Sequence, residues 1–219
     1  MEVTYLGHSC FEIKERRGQA GVVTVVVDPF DPKVTGLSLK KGVSADVLLI
    51  THNHPDHNFV SGVSGSSYVI SGPGEYEVRE VKIIGVKSFH DEKGGEERGR
   101  NTIYSFVMGG VSFCHLGDLG TALTDAQVEE IGKVDVLFVP VGGTYTVDPK
   151  KAVEVATQLE PLIVIPMHYK TTGGKNESLH DVSDFVREFG KPQKTEPSLK
   201  VTKDSLPLEL EVIVLEKVS

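Results

Sequence analysis

The aliphatic run Asp46-Val47-Leu48-Leu49-Ile50 reads as a buried β-strand, and it passes without a break into Thr51-His52-Asn53-His54-Pro55-Asp56-His57. The turn signal Asn53-His54-Pro55 closes the strand there. Three imidazoles and a carboxylate within six residues rarely serve a core, because each needs a hydrogen-bonding partner once buried. A metal ion supplies that partner. His52 and His54, two residues apart, share one face of an extended segment and can point at a single ion. His57 is out of that phase. With Asp56 it leaves the other side of the turn and can reach a second ion, about 3.5 to 4 Å away in two-metal hydrolytic sites. The bland alternative is a histidine-rich surface turn.

The rest of the chain supplies elements to frame this turn. Val3 to Leu6, Cys10 to Lys14 and Val22 to Asp28 are short β-branched or alternating strand segments, and Asp28-Pro29-Phe30-Asp31-Pro32 ends the third of them. The stretch from Ser61 to Ser67 is rich in glycine and serine, so any helix beginning near Asp56 has to be short. Tyr68 to Ser71 and Val81 to Phe89 read as strands around the turn Gly72-Pro73-Gly74-Glu75-Tyr76. Asn101 to Met108 and Val111 to His115 form a hairpin across Gly109-Gly110. Helices enter later. Thr124-Asp125-Ala126-Gln127 is a capping box opening a helix to about Ile131, and Asp148-Pro149 starts another that reaches about Leu159. Leu179 to Phe189 is a third amphipathic segment, ended by Gly190. Val134 to Val141, Leu162 to Pro166, Lys200 to Thr202 and Leu208 to Leu215 are the remaining strands.

With 219 residues and 39% hydrophobic content, residues 1–219 are expected to form one domain. The net charge of −8 disfavours a broad nucleic-acid surface, although a local patch or bound metals can still hold a phosphate. Cys10 and Cys114, the only cysteines, lie in apolar strand-like surroundings and read as small buried hydrophobes. The start has no signal-peptide pattern, and no apolar run approaches the roughly 20 residues needed to span a bilayer. A cytoplasmic protein without a membrane partner is the expectation.

At His52, His54, Asp56 and His57 the chain resembles the metallo-β-lactamase superfamily, whose signature is His-x-His-x-Asp-His. The resemblance extends to His90, to Asp118 in Gly117-Asp118-Leu119-Gly120, and to His168 in Pro166-Met167-His168-Tyr169. It is nearest to the short branch of stand-alone metal-dependent hydrolases that includes L-ascorbate 6-phosphate lactonase-like proteins. It implies an α/β (α+β) chain folded as an αββα four-layer sandwich, with metals at one edge. It also implies a ligand set. His52, His54 and His90 are assigned to one divalent cation and Asp56, His57 and His168 to another, with Asp118 and a water or hydroxide between them. Nitrogen and oxygen donors without thiolate suit zinc, with manganese or iron as alternatives.

Other residues carry secondary expectations. Asp28 braces the metal turn by hydrogen bonds. His8, in Gly7-His8-Ser9, either lines the mouth of the site or caps its own turn. Glu75 reads as a solvated turn carboxylate with a possible site role. Asp91 to Arg100 is a polar, mobile loop overhanging the metals, and Arg98, Arg100 and Asn101 are its candidates for an anionic substrate group. His115 either touches substrate as an acid or orients Asp118, and His180 is a solvated imidazole at a helix start.

The implied activity is hydrolysis through a binuclear centre and bridging hydroxide, with Asp56 and Asp118 serving both metal and chemistry. His54 counts against the superfamily's redox members, which usually carry an acid there. The short chain favours a small ester, lactone or phosphodiester, with a phosphorylated small molecule among the candidates. The enzymatic alternative is an RNA or DNA phosphodiesterase acting as an oligomer. A different class is a non-catalytic metal-binding scaffold or sensor.

Overall fold

A computed structural model of the chain describes residues 1–65, 68–191 and 193–218. The strands in chain order begin with β1 (Glu2–Gly7), β2 (Cys10–Arg16), β3 (Val22–Val27), β4 (Val47–Leu49) and β5 (Tyr68–Ile70). They continue through β6 (Gly74–Val78), β7 (Val81–Phe89), β8 (Arg100–Met108), β9 (Val111–His115), β10 (Val136–Pro140) and β11 (Ile163–Met167). The last are β12 (Gln193–Glu196), β13 (Leu199–Lys200) and β14 (Glu211–Leu215). Helices α1 (Pro32–Thr35), α2 (Asp125–Ile131), α3 (Pro149–Leu159) and α4 (Val182–Phe189) connect them.

Among the described residues the strands form two sheets, one ordered β13-β1-β2-β3-β4-β5 and the other β12-β14-β11-β10-β9-β8-β7-β6. The period-two alternation of a strand decides what each covers. Val25, Val27, Val47 and Leu49 of the first sheet share a core with Tyr104, Phe106, Phe138 and Ile165 of the second. Phe11 and Phe138 meet across it with ring centroids 4.3 Å apart. The alternate residues of the second sheet, among them Leu137, Val139 and Val164, pack with Ala152, Val155 and Phe185 of α3 and α4. Val26 and Leu48 face outward from the first sheet against Phe30, Leu37 and Val43, so loops and the four-residue α1 make up that outer layer. These layers are the expected αββα sandwich. The Tyr104 hydroxyl pins the sheets together, donating to Ile50 O at 3.0 Å and accepting from Gly72 N at 2.8 Å.

Several elements depart from the sequence expectation. β6 forms a hairpin with β7 in place of an extended turn, closed by Arg79 and Glu80 at φ 51° and 60°. A turn of this kind ordinarily announces itself with Asn or Gly, and here neither is present. Strand β12 has no buried side chain and exists because β14 offers a free edge. The third helix signal is realised from Val182, so Leu179 and His180 precede it. After the histidine turn only a 3-10 turn, Val60–Gly62, forms in the glycine- and serine-rich stretch, of which Ser66 and Ser67 lie outside the described residues. The capping box at Thr124 and the Asp148 cap are as expected, with Gln127 N to Thr124 Oγ1 at 3.3 Å and Lys151 N to Asp148 Oδ1 at 2.8 Å. No helix among the described residues is long and apolar enough to cross a membrane.

Strand direction gathers the polar turns. β1 and β3 both run antiparallel to β2, and β4 is parallel to β3, so their carboxyl ends emerge together. β7 and β9 both run antiparallel to β8, and β10 and β11 are parallel to β9. His8, Asp28 and His52 follow the first set; His90, Asp118 and His168 follow the second. Ligand-sized turns at the carboxyl ends of aligned strands are the usual location of a site in open α/β sheets.

Candidate metal centre

The histidine turn is held by the end of β3. Asp28, fully buried, accepts from Thr51 N at 2.8 Å and from Thr51 Oγ1 at 2.6 Å, and its Oδ2 lies 2.9 Å from His57 Nδ1. The bracing expected of Asp28 is therefore present in detail. Its oxygens are already engaged, although it also lies within reach of an ion placed between His52 and His57. Thr51, for which no role was expected, also approaches His52 Nδ1 at 3.0 Å. Both contacts leave the Nε2 atoms of His52 and His57 facing inward.

The Asp118 turn is fixed from two sides. Asn101 Oδ1 accepts from Asp118 N at 3.1 Å, while its amide nitrogen donates to Ser88 Oγ and Leu116 O, each at 2.8 Å. The flanking glycines are needed for a reason other than approach to a metal. A Cβ on Gly117, at φ 58°, would lie 2.3 Å from Asn101 Oδ1, and one on Gly120 would lie 2.3 Å from the carbonyl carbon of His90. Without side chains there, the Asp118 turn can lie directly against the His90 turn.

The result is a convergence on one oxygen. Asp118 Oδ2 lies 3.2 Å from Nε2 of His57, of His90 and of His168, and 3.9 Å from Nε2 of His52. Two sets of donors are each compact enough to hold an ion: His52, His54 and His90, and His8, Asp56, His57 and His168. His52 Nε2, His57 Nε2 and Asp118 Oδ1 are buried without a hydrogen-bond partner. Leaving such groups unsatisfied costs roughly 1 to 3 kcal/mol each, so the donor set fits divalent cations.

The electrostatics of His52 and Asp118 agree with that fit. Burial, reinforced by His57, pushes the His52 imidazole down to about 3, so it is neutral with a lone pair to donate. Burial opposes the charge on Asp118, but His168 and His57 prevail and hold the carboxyl well below its usual range. His57 runs the other way: it is buried too, yet Asp118 and then Asp28 raise it above the ordinary imidazole value, so a cation binding there displaces a proton.

His8 belongs to the site. Its Nε2 is buried, 3.2 Å from Asp56 Oδ2, and its carbonyl accepts from Tyr5 OH and His168 N at 2.9 Å. His8, Asp28 and His168 all adopt left-handed backbone at φ 55°, 47° and 53°. Strain of about 1 to 3 kcal/mol at non-glycine residues clusters where structure is held for a purpose.

Other expectations need correction. His115 is not available to substrate: its Nε2 lies 2.9 Å from Ser9 O and its Nδ1 accepts from Gly117 N at 3.1 Å. Of its two expected roles, the geometry supports orienting the Asp118 turn. Asn101 is buried in the same turn and cannot take an anionic substrate group, whereas Arg100 is exposed and lines a groove together with His52, His54 and Arg98. Glu75, exposed on β6, and His180, half exposed and 3.3 Å from Asp184, are solvated as expected. The 91–100 loop is more than a solvated connection. Asp91 accepts backbone N–H bonds from Lys93, Gly95, Glu97 and Arg98 at 2.8 to 3.1 Å. The Arg98 N–H, with those of Gly95, Lys93 and Glu97, outweighs burial and holds the Asp91 carboxyl down to about 2. An Asp directly before a glycine-rich loop was the available signal for this.

Two mixed sheets packed face to face, with histidines and carboxylates gathered at one edge, define the metallo-β-lactamase fold class. Residues 2–168 match the model of the beta-lactamase superfamily domain, and the chain belongs to that family. Several of its relatives are named metal-dependent hydrolases. A UPF0173 metal-dependent hydrolase of Methanopyrus kandleri is 27% identical over 99% of this chain and 97% of its own. A candidate zinc-dependent hydrolase of the metallo-beta-lactamase superfamily from Thermotoga maritima is 42% identical, with a TM-score of 0.77 over 98% of this chain and 97% of its own. Igni18, a metallo hydrolase of Ignicoccus hospitalis, shares the fold at 20% identity, with a TM-score of 0.67 over 100% of this chain and 96% of its own.

Proposed function

We propose that residues 1–219 act as one domain, a binuclear hydrolase cleaving a small ester, lactone or phosphodiester. The convergence of four imidazole Nε2 atoms on Asp118 Oδ2, beside buried donors that have no partner, carries this reading. His52, His54 and His90 would hold one cation, and Asp56, His57 and His168 the other, with Asp118 between them. Zinc suits this donor set best. Two bound cations would lower the pKa of a shared water toward neutrality and polarise the scissile carbonyl or phosphoryl oxygen.

The chain's own residues set the conditions. Asp28 fixes His57 through Nδ1, leaving Nε2 free to donate its lone pair. The Asn101 and His115 contacts hold the Asp118 carboxylate in place. Asp56, half-buried at the cleft with Oδ2 3.2 Å from His8 Nε2, would accept a proton from attacking water. The cleft over these groups has a volume of about 210 Å³, which suits a small molecule. Free, buried Cys10 and Cys114 are compatible with a cytoplasmic location.

The test is metal content by elemental mass spectrometry, on protein purified without added metal and on an Asp118→Ala variant. Near two equivalents, falling sharply in the variant, followed by turnover on a panel of lactones, thioesters and phosphodiesters, is the expected result. Less than half an equivalent, unrecoverable on adding metal, would overturn it.

A further inference from the structure

Arg98 lines the groove that holds Arg100, His52 and His54 and lies at the junction of two cavities. One is the cleft of about 210 Å³ lined by His54, Asp56, His90, Asp118 and His168. The other, about 290 Å³, shares His90, Arg98 and Tyr145 with it and extends past Thr144 to Lys151. Among the described residues lining the cleft, Arg98 is the one permanent cation. Lys151, in the adjoining cavity, is paired with Glu92.

The guanidinium is positioned before any ligand arrives. The backbone N–H of Arg98 donates to Asp91 Oδ2 at 2.8 Å, which ties it to the residue following His90. Its side chain crosses to another loop, where the guanidinium carbon lies 5.8 Å from the Tyr145 ring centroid and Nη2 donates to Thr144 O at 3.3 Å. Stacking on an aromatic ring fixes the plane of the fork and reduces the entropy lost on binding. Neither of those contacts neutralises the charge. The carboxylate it meets, Glu97 Oε2, stands 3.8 Å from Nη1, beyond hydrogen-bond length, and the side chain is 35% exposed. In a chain of net charge −8, a fixed guanidinium with free donors at the mouth of a site suits an oxyanion.

Resting on the reading of the cleft as the place where substrate sits, we propose that Arg98 binds a carboxylate or phosphate group carried by the substrate beside the bond that is cut. The anionic group sits at the junction of the two cavities, and the reacting carbonyl or phosphoryl group sits over Asp118.

Three cyclic amides that resist hydrolysis separate the possibilities: 5-(hydroxymethyl)-2-pyrrolidinone, its phosphate ester, and pyroglutamate. Each is titrated calorimetrically into metal-loaded wild type, Arg98→Gln and Arg98→Lys, with metal content measured on the same samples. The phosphate ester or pyroglutamate should bind wild type about ten- to a hundredfold more tightly than the neutral amide, as a charged hydrogen-bonded pair provides. Arg98→Gln should bring that ratio close to one at unchanged metal content, with Arg98→Lys in between, because it keeps charge and loses the fork. Whichever anion gains identifies the group recognised. A ratio near one in wild type, or one unchanged in Arg98→Gln, overturns the proposal, the latter assigning the anion to the metal ions or to a neighbouring cation such as Arg100. No turnover enters this measurement, so failure of the hydrolysis panel would defeat the catalytic reading while leaving Arg98 as an anion site, and the two failures are told apart.

Discussion

At the scale of single residues, the centre depends on side chains that touch no substrate. Asp28 is the clearest case, because its two oxygens answer Thr51 N–H, Thr51 Oγ1 and His57 Nδ1 together. An amide cannot do this: whichever way Asn is turned, its NH₂ faces Thr51 N–H or His57 Nδ1. Facing His57, it forces the tautomer that protonates Nε2 and removes the lone pair needed for a metal. Asp28→Asn should therefore lower metal affinity by about 10- to 100-fold, measured by competition with a chelator, while the left-handed backbone is retained. Unchanged affinity would show that His57 needs no such brace. Asn101 and His115 illustrate the opposite lesson about reading a sequence. Both stand where a substrate-binding residue belongs in chain order, and both spend their polar atoms inside the protein.

At the scale of elements, the 91–100 loop is organised by one buried carboxylate. Asp91 satisfies the N–H groups of Lys93, Gly95, Glu97 and Arg98, and it thereby places Arg98 over the cleft. Asp91→Ala should leave the sheets intact and open this loop, seen as faster nicking between residues 91 and 100 in limited proteolysis. Protection equal to wild type would mean that the loop is held elsewhere. The secondary structure divides in an instructive way. Strands buried on both faces, such as β4 and β10, and helices with a capping residue, such as α2 and α3, are legible because their stabilisation is local or repeats with a fixed period. β12 has no apolar side chain to reveal it, and the β6–β7 turn uses Arg79 and Glu80 in a conformation their side chains do not favour. Both form because a neighbouring strand supplies unpaired backbone groups.

At the scale of the whole molecule, two sheets deliver turns from both halves of the chain to one edge, so folding and site assembly are the same event. Ligand binding to the native state alone stabilises it, by about 4 kcal/mol when free metal exceeds its dissociation constant a thousandfold. For a chain of this size that corresponds to roughly ten degrees in Tm. Removing metal with a chelator should lower the Tm measured by differential scanning calorimetry by about that amount, and added zinc should restore it. A Tm indifferent to both treatments would mean that no ion contributes to the fold. The sequence by itself determined the donor types and their order, the strand and helix patterns that frame them, and the family, because each of these is carried by neighbouring residues. Only the tertiary structure decided that the Nε2 atoms of His52, His57, His90 and His168 face one oxygen of Asp118. Only it separated Asp28, Asn101 and His115, which position the site, from Arg98, which faces the cleft. A polar residue in a turn reads the same whether it meets water, backbone or ligand, and packing at long range chooses among them.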